Sequence, residues 1–202
     1  MDGDDVYASL ERSLASARVL PVLRLDTADQ AVDAAARSVA AGLSTIELTA
    51  TTDAWPDALR TCRTRWPELT IGLGTVTTAR LARRATEGGA NFLVSPFPCP
   101  KVRAEAARLE IPFLEGGFTP GEVAQAAAHG IAKLFPAHVA GPAYLRDILA
   151  VIPGARIVPT GGIVLDDAIH WIKAGALAVG VGRALLAPGM AERVAALRNS
   201  QP

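Results

Sequence analysis

The chain has 202 residues, a formal net charge of +0, and hydrophobic residues at 50%, which suits one domain with a large shared core. Balanced charge gives no electrostatic basis for binding nucleic acid or an anionic membrane, so an anionic ligand has to be held by a local site. Cys62 and Cys99 make neither a disulfide framework nor a metal-type spacing, and the start Met1–Asp5 is acidic with no long apolar run behind it; the expectation is a soluble cytoplasmic protein with no membrane span.

In chain order, Asp5–Ala17 reads as a leading helix with Leu10 and Leu14 on one face. Strand candidates follow at Leu20–Leu23, Thr45–Leu48, Thr70–Gly74, Asn91–Val94, Pro112–Leu114, Ile131–Phe135, Ile157–Pro159 and Leu177–Val181. Short apolar runs of this kind suit strands buried on both faces. Helical, Ala-rich stretches separate them, and four of these end in Gly42, Gly89, Gly130 and Gly175, glycine being the favoured left-handed helix terminator. Eight βα units without a linker or low-complexity tract predict one domain over residues 1–202. Its fold class is α/β, a (β/α)8 TIM barrel with an extra N-terminal helix; an open doubly wound sheet is the alternative topology.

Such barrels place their chemistry at the C-terminal ends of the strands. Those ends carry Arg24, Glu47, Thr75, Ser95-Pro96, Glu115-Gly116-Gly117, Lys133, Thr160-Gly161-Gly162 and Gly182-Arg183. Lys133 interrupts an apolar strand, where lost solvation favours the neutral, nucleophilic amine; it can equally be a structural partner of Glu47 or Glu115, or an edge lysine reaching solvent. Glu47 interrupts its strand in the same way, as a general base or as an inert partner of Arg24 or Lys133. A buried amine and a buried carboxylate at one barrel mouth are the minimum kit for imine chemistry. The glycines of Thr160-Gly161-Gly162 and Gly180-Val181-Gly182 lie at the last two loops, where free backbone amides can cradle an anion, or they serve only as tight turns. His129, His138 and His170 are not grouped for a metal or a triad, and no metal is called for. Cys99, between two prolines, reads as a loop residue, and the scattered Trp55, Trp66 and Trp171 form no stacking platform for nucleic acid.

From Val19 to Leu186 the chain resembles the bacterial 2-keto-3-deoxy-6-phosphogluconate / 4-hydroxy-2-oxoglutarate aldolases. The resemblance rests on Pro21-Val22-Leu23-Arg24, Ile46-Glu47-Leu48-Thr49, Gly72-Leu73-Gly74-Thr75-Val76, Val94-Ser95-Pro96, Thr119-Pro120, Lys133-Leu134-Phe135-Pro136, Gly141-Pro142 and Val158-Pro159-Thr160-Gly161-Gly162-Ile163. It implies a class I lyase that needs neither metal nor other cofactor. Lys133 takes the place of the Schiff-base lysine and Glu47 that of the proton shuttle. Arg24 and Thr75 stand where the pyruvate carboxylate is bound, Pro96 where the pocket is shaped, and Thr160, Gly161 and Gly162 at the far, often phosphorylated, end. Gly182 and Arg183 stand at the strand-eight loop, where Gly-Ser is common and where Arg183 could grip an anion or point outward. The implied substrate is a small 2-keto-3-deoxy sugar acid cleaved to pyruvate and an aldehyde, and the implied assembly is a homotrimer. Cleavage of 4-hydroxy-2-oxoglutarate, or a non-catalytic phosphate-binding barrel, are the competing readings. The chain departs from the family at Thr51 (arginine in some members), Phe97, Glu115 and His138; Glu115 is expected near the barrel mouth.

Overall fold

The computed structural model describes residues 3–200, so Met1, Asp2, Gln201 and Pro202 of the expected domain lie outside the described residues. Helix α1 spans Gly3–Ala17, and eight strands alternate with further helices: β1 Val19–Leu23, α2 Ala28–Ala40, β2 Thr45–Thr49, α3 Trp55–Arg65, β3 Thr70–Gly74, α4 Ala79–Glu87, β4 Phe92–Val94 and α5 Pro100–Arg108. The second half continues with β5 Phe113–Gly117, α6 Pro120–Ala127, β6 Ile131–Leu134, α7 Gly141–Val151, β7 Arg156–Pro159, α8 Ala168–Lys173, β8 Val179–Val181 and α9 Met190–Asn199. All the paired strands are parallel, in the order β7-β6-β5-β4-β3-β2-β1-β8. A Thr160–Gly180 bridge brings the end of β7 to β8 and closes the ring. The expected barrel and its leading helix are therefore present. The doubly wound alternative is not.

Local sequence accounts for many of the boundaries. Thr27, Thr78 and Thr119 cap α2, α4 and α6 through their hydroxyls, the last in a reciprocal pair with Glu122. Gly42, Gly89, Gly130 and Gly175 all have positive φ, as left-handed terminators between helix and strand require. The fifth strand is longer than Pro112–Leu114. It starts at Phe113 and runs on through Glu115-Gly116-Gly117, residues whose polarity and lack of side chain conceal a buried strand.

Alternation sets what each strand shows to each side. Ile46, Leu48, Ile71, Leu73, Leu93 and Phe113 point outward into the layer beneath the helices. Leu20, Phe92, Val94, Leu114, Ile131 and Val158 point inward and meet Leu10 and Leu14 of α1. Helix α1 thus lies across the N-terminal opening. Ser13 Oγ is 2.5 Å from Thr45 Oγ1, Tyr7 Oη accepts the Phe113 amide at 2.8 Å, and Glu11 pairs with Arg156 at 3.3 Å, tying α1 to the starts of β2, β5 and β7. Among the described residues no helix is long and apolar enough to cross a membrane, and no group of three or more His, Cys, Asp or Glu side chains converges as a metal site.

Candidate active site

Above the plugged end, the inward positions change character. Lys133, two residues past Ile131, points into the barrel, and Glu47 does so from the middle of β2. Their side chains are 7% and 2% exposed, and Lys133 Nζ lies 3.6 Å from Glu47 Oε1. Two substitutions by size make this possible. A Cβ on Gly74 would stand 1.8 Å from Glu47 Oε1, and one on Gly72 would stand 2.2 Å from the Phe92 ring. The Gly-Leu-Gly of β3 leaves the room that Glu47 and Phe92 occupy, a requirement visible only once the strands are in register.

Burial pushes the Glu47 carboxyl above its ordinary value, and attraction to Lys133 and then Arg24 opposes this. Lys133 Nζ also sits 5.5 Å from the centre of the Phe135 ring. Such a carboxylate can hold and release a proton beside an amine, which is what carbonyl addition and dehydration need.

Arg24 leaves the end of β1 exposed to solvent but is aimed by two hydroxyls, donating to Thr51 Oγ1 at 2.7 Å and Thr75 Oγ1 at 3.0 Å. Thr75 holds φ at +62°, a left-handed conformation costly for a β-branched residue, of order 1–3 kcal/mol. Thr51, where arginine was the family alternative, thus supports the remaining guanidinium.

Thr160 is buried and its Oγ1 would be 2.2 Å from a Cβ on Gly180, so the β8 glycine admits the threonine into the barrel. Beyond it, Gly161 and Gly162 have φ of +98° and +69°. The Gly161 carbonyl accepts the His138 amide at 3.2 Å and lies 3.1 Å from His138 Nδ1. Among the described residues, the amides of Gly161 and Gly162 donate to no acceptor. His138, Asp167 and His170 line a cavity of about 340 Å³ beside Gly162.

Arg183, after Gly182, is exposed but does not stand free. It donates to Asp26 Oδ1 at 3.0 Å and to the Arg24 carbonyl at 3.2 Å, linking the β8 and β1 loops. Pro96 lies over the barrel beside Gly116, where an added Cβ would come within 2.4 Å of its carbonyl carbon. Glu115 corrects the expectation that it stands at the mouth. Gly116 is the register partner of Lys133 and shares its inward face, so residue 115 faces out, where it pairs with Arg103 at 2.7 Å. Cys62 is fully buried with its thiol pushed up to about 11 by burial, the nearby Arg65 pulling the other way; Cys99 is also buried and its thiol raised.

A parallel (β/α)8 barrel, closed at one end and holding a buried amine against a buried carboxylate at the other, defines a barrel enzyme of the carbonyl-chemistry type. Comparison with known proteins narrows the class. The family model "Aldolase: KDPG and KHG aldolase" matches residues 10–197. A 2-dehydro-3-deoxy-phosphogluconate aldolase of Pseudomonas aeruginosa is 33% identical over 168 residues, 82% of this chain and 76% of its own. A solved 4-hydroxy-2-oxoglutarate aldolase/2-deydro-3-deoxyphosphogluconate aldolase from TTHB1 superposes with a TM-score of 0.80 at 34% identity, over 98% of this chain and 96% of that one. A KDPG aldolase from Legionella pneumophila, solved with pyruvate captured at low pH as a covalent carbinolamine intermediate, has a TM-score of 0.80 at 26% identity, over 93% of this chain and 95% of that one. The chain belongs to the KDPG and KHG aldolase family and is a carbon–carbon lyase.

Proposed function

We propose that the chain is a class I aldolase acting on a 2-keto-3-deoxy sugar acid, 2-keto-3-deoxy-6-phosphogluconate, and releasing pyruvate and glyceraldehyde 3-phosphate. The observation that carries the reading is the Lys133–Glu47 approach of 3.6 Å between two buried side chains. The Lys133 amine adds to the C2 carbonyl, and the carbinolamine loses water to give a protonated imine. The Glu47 carboxylate takes the proton of the C4 hydroxyl as the C3–C4 bond breaks. The aldehyde leaves, and the bonding pair is delocalised into an enamine. Glu47 returns a proton to C3, and hydrolysis of the imine frees pyruvate and Lys133.

Arg24, held by Thr51 and Thr75, binds the pyruvate carboxylate, a geometry suited to a guanidinium fork. Pro96 walls the pocket. Thr160 and the free amides of Gly161 and Gly162, with Gly182 and Arg183 across the β7–β8 junction, take the phosphate end; Asp26 is the resting partner of Arg183 in this arrangement. We carry over from the family resemblance a homotrimer working in the cytoplasm; a monomer mass in sedimentation would overturn the trimer.

Borohydride reduction in the presence of pyruvate tests the mechanism. A reduced adduct on the Lys133 peptide is expected, and its absence ends the aldolase reading. A second substrate, 4-hydroxy-2-oxoglutarate, is favoured by one observation: Arg183 is already engaged by Asp26, which reduces the charge free to meet a phosphate. A lower kcat/KM for the phosphorylated sugar acid than for 4-hydroxy-2-oxoglutarate would select that reading.

A further inference from the structure

Glu115 is only 2% exposed, and both of its carboxylate oxygens are occupied. Oε1 accepts the Cys99 amide at 2.6 Å and Oε2 accepts Arg103 Nε at 2.7 Å; Arg103 reaches on to His129 Nε2 at 3.3 Å. A carboxylate so buried depends on donors of this kind. The bonds fix the first turn of α5 to the outer face of β5, since Cys99 precedes that helix and Arg103 lies in it. The same stretch is held a second time at its other end. Ser95 Oγ accepts the Gly116 amide at 3.1 Å and donates to the Phe97 carbonyl at 2.8 Å.

Between these two clamps stands the Pro96–Phe97 peptide. A Cβ on Gly116 would lie 2.4 Å from the Pro96 carbonyl carbon and 2.6 Å from the Phe97 nitrogen. Gly116 is paired in register with Lys133, and paired residues of neighbouring strands point the same way, about 4.8 Å apart. The peptide therefore fills the space of a missing side chain immediately beside Lys133. Its Phe97 amide donates to no acceptor among the described residues.

We propose that Glu115 is a positioning residue: from the outer face of β5, through the Cys99 amide and Arg103, it holds the Pro96–Phe97 peptide that walls the Lys133 pocket, and so sets the fit of the keto-acid substrate. The inference rests on the aldolase reading. Glu115 touches no reacting atom; it acts through the peptide. Displacing a pocket wall by about 1 Å is enough to lower turnover on the order of a hundredfold in other enzymes, and a loop freed at one of its two clamps moves by less than one freed at both.

The test compares Glu115→Ala, Glu115→Gln and Ser95→Ala in the full-length protein, well below their unfolding temperatures. With 2-keto-3-deoxy-6-phosphogluconate, Glu115→Ala raises KM on the order of tenfold, and Ser95→Ala, acting on the other clamp, shifts it the same way. Glu115→Gln keeps an acceptor for the Cys99 amide and recovers part of the loss. Pyruvate and borohydride still label Lys133 in all three, because the amine and Glu47 are untouched. If Glu115→Ala and Ser95→Ala lower Tm but leave kcat and KM within about twofold of the parent, the positioning role is overturned and Glu115 only fastens a helix. A parent protein that forms no pyruvate adduct would overturn the aldolase reading, and this inference with it.

Discussion

At the N-terminal end of the barrel, Leu10 and Leu14 of α1 meet Leu20, Phe92, Leu114 and Ile131 in an apolar cluster; two residues further along β5 and β6, the inward positions are Gly116 and Lys133, facing Glu47. Both ends share one backbone, one alternation and one degree of burial. They differ in whether the inward residue adds apolar contact or withholds it. The lower layer supplies stability by filling space. The upper layer leaves space at Gly74, Gly116 and Gly180, which the Glu47 side chain, the Pro96–Phe97 peptide and Thr160 occupy, while Gly72 admits the ring of Phe92 to the layer below. Division of a barrel into a stabilising face and a reactive face is a general property of the fold, and here the boundary runs between Ile131 and Lys133.

Four substitutions probe that boundary. Lys133→Ala should abolish the pyruvate adduct and lower aldol cleavage by at least about 10³-fold, the scale of losing a covalent nucleophile, while the protein still unfolds cooperatively; near-parental turnover would refute its role. Glu47→Gln should slow the reaction by about 10²–10⁴-fold, with a distinctive effect on stability. Because burial raises the Glu47 carboxyl, the folded chain holds that proton more tightly than the unfolded chain. The parent therefore loses stability as pH rises from the ordinary carboxylate range through the folded value, and the Gln variant lacks that part of the slope. Parallel Tm-against-pH curves for the two proteins would show that Glu47 is not raised.

On the other side of the boundary, Leu14→Ala should cost about 2–5 kcal/mol by denaturant unfolding without changing kcat/KM in protein that remains folded. A loss of activity matching the loss of stability would mean that the two ends are coupled. The smallest effect belongs to Arg183→Ala. Its pair with Asp26 is 65% and 77% exposed, so unfolding shifts by about 0–1 kcal/mol, while KM for the phosphorylated substrate should rise. An unchanged KM would leave Arg183 with the loop contact alone.

The barrel was legible because its strands are short apolar runs punctuated by glycines, and because Leu10 and Leu14 announced a buried helix face. Glu47 and Lys133 stood out as charges interrupting such runs. What sequence could not show was parity. Whether Glu115 faces the mouth depends on the register of β5 against β6, and that register places it opposite the helices. Nor could spacing show that Gly72 and Gly74 make room for Phe92 and Glu47, since each contact spans two strands. Arg183 and Asp26 lie far apart in the chain and meet only because β8 closes on β1.

That closure has a consequence for how the chain is made. Val19–Pro21 of β1 pair with Val179–Val181 of β8, so as the chain is synthesised β1 waits for β8, about 160 residues later in the sequence. For most of synthesis β1 carries an unpaired row of amides and carbonyls on one side, the kind of edge that recruits neighbouring chains. Such a protein finishes folding only when its final strand is released, and truncation before Val179 should yield aggregates rather than a smaller soluble barrel.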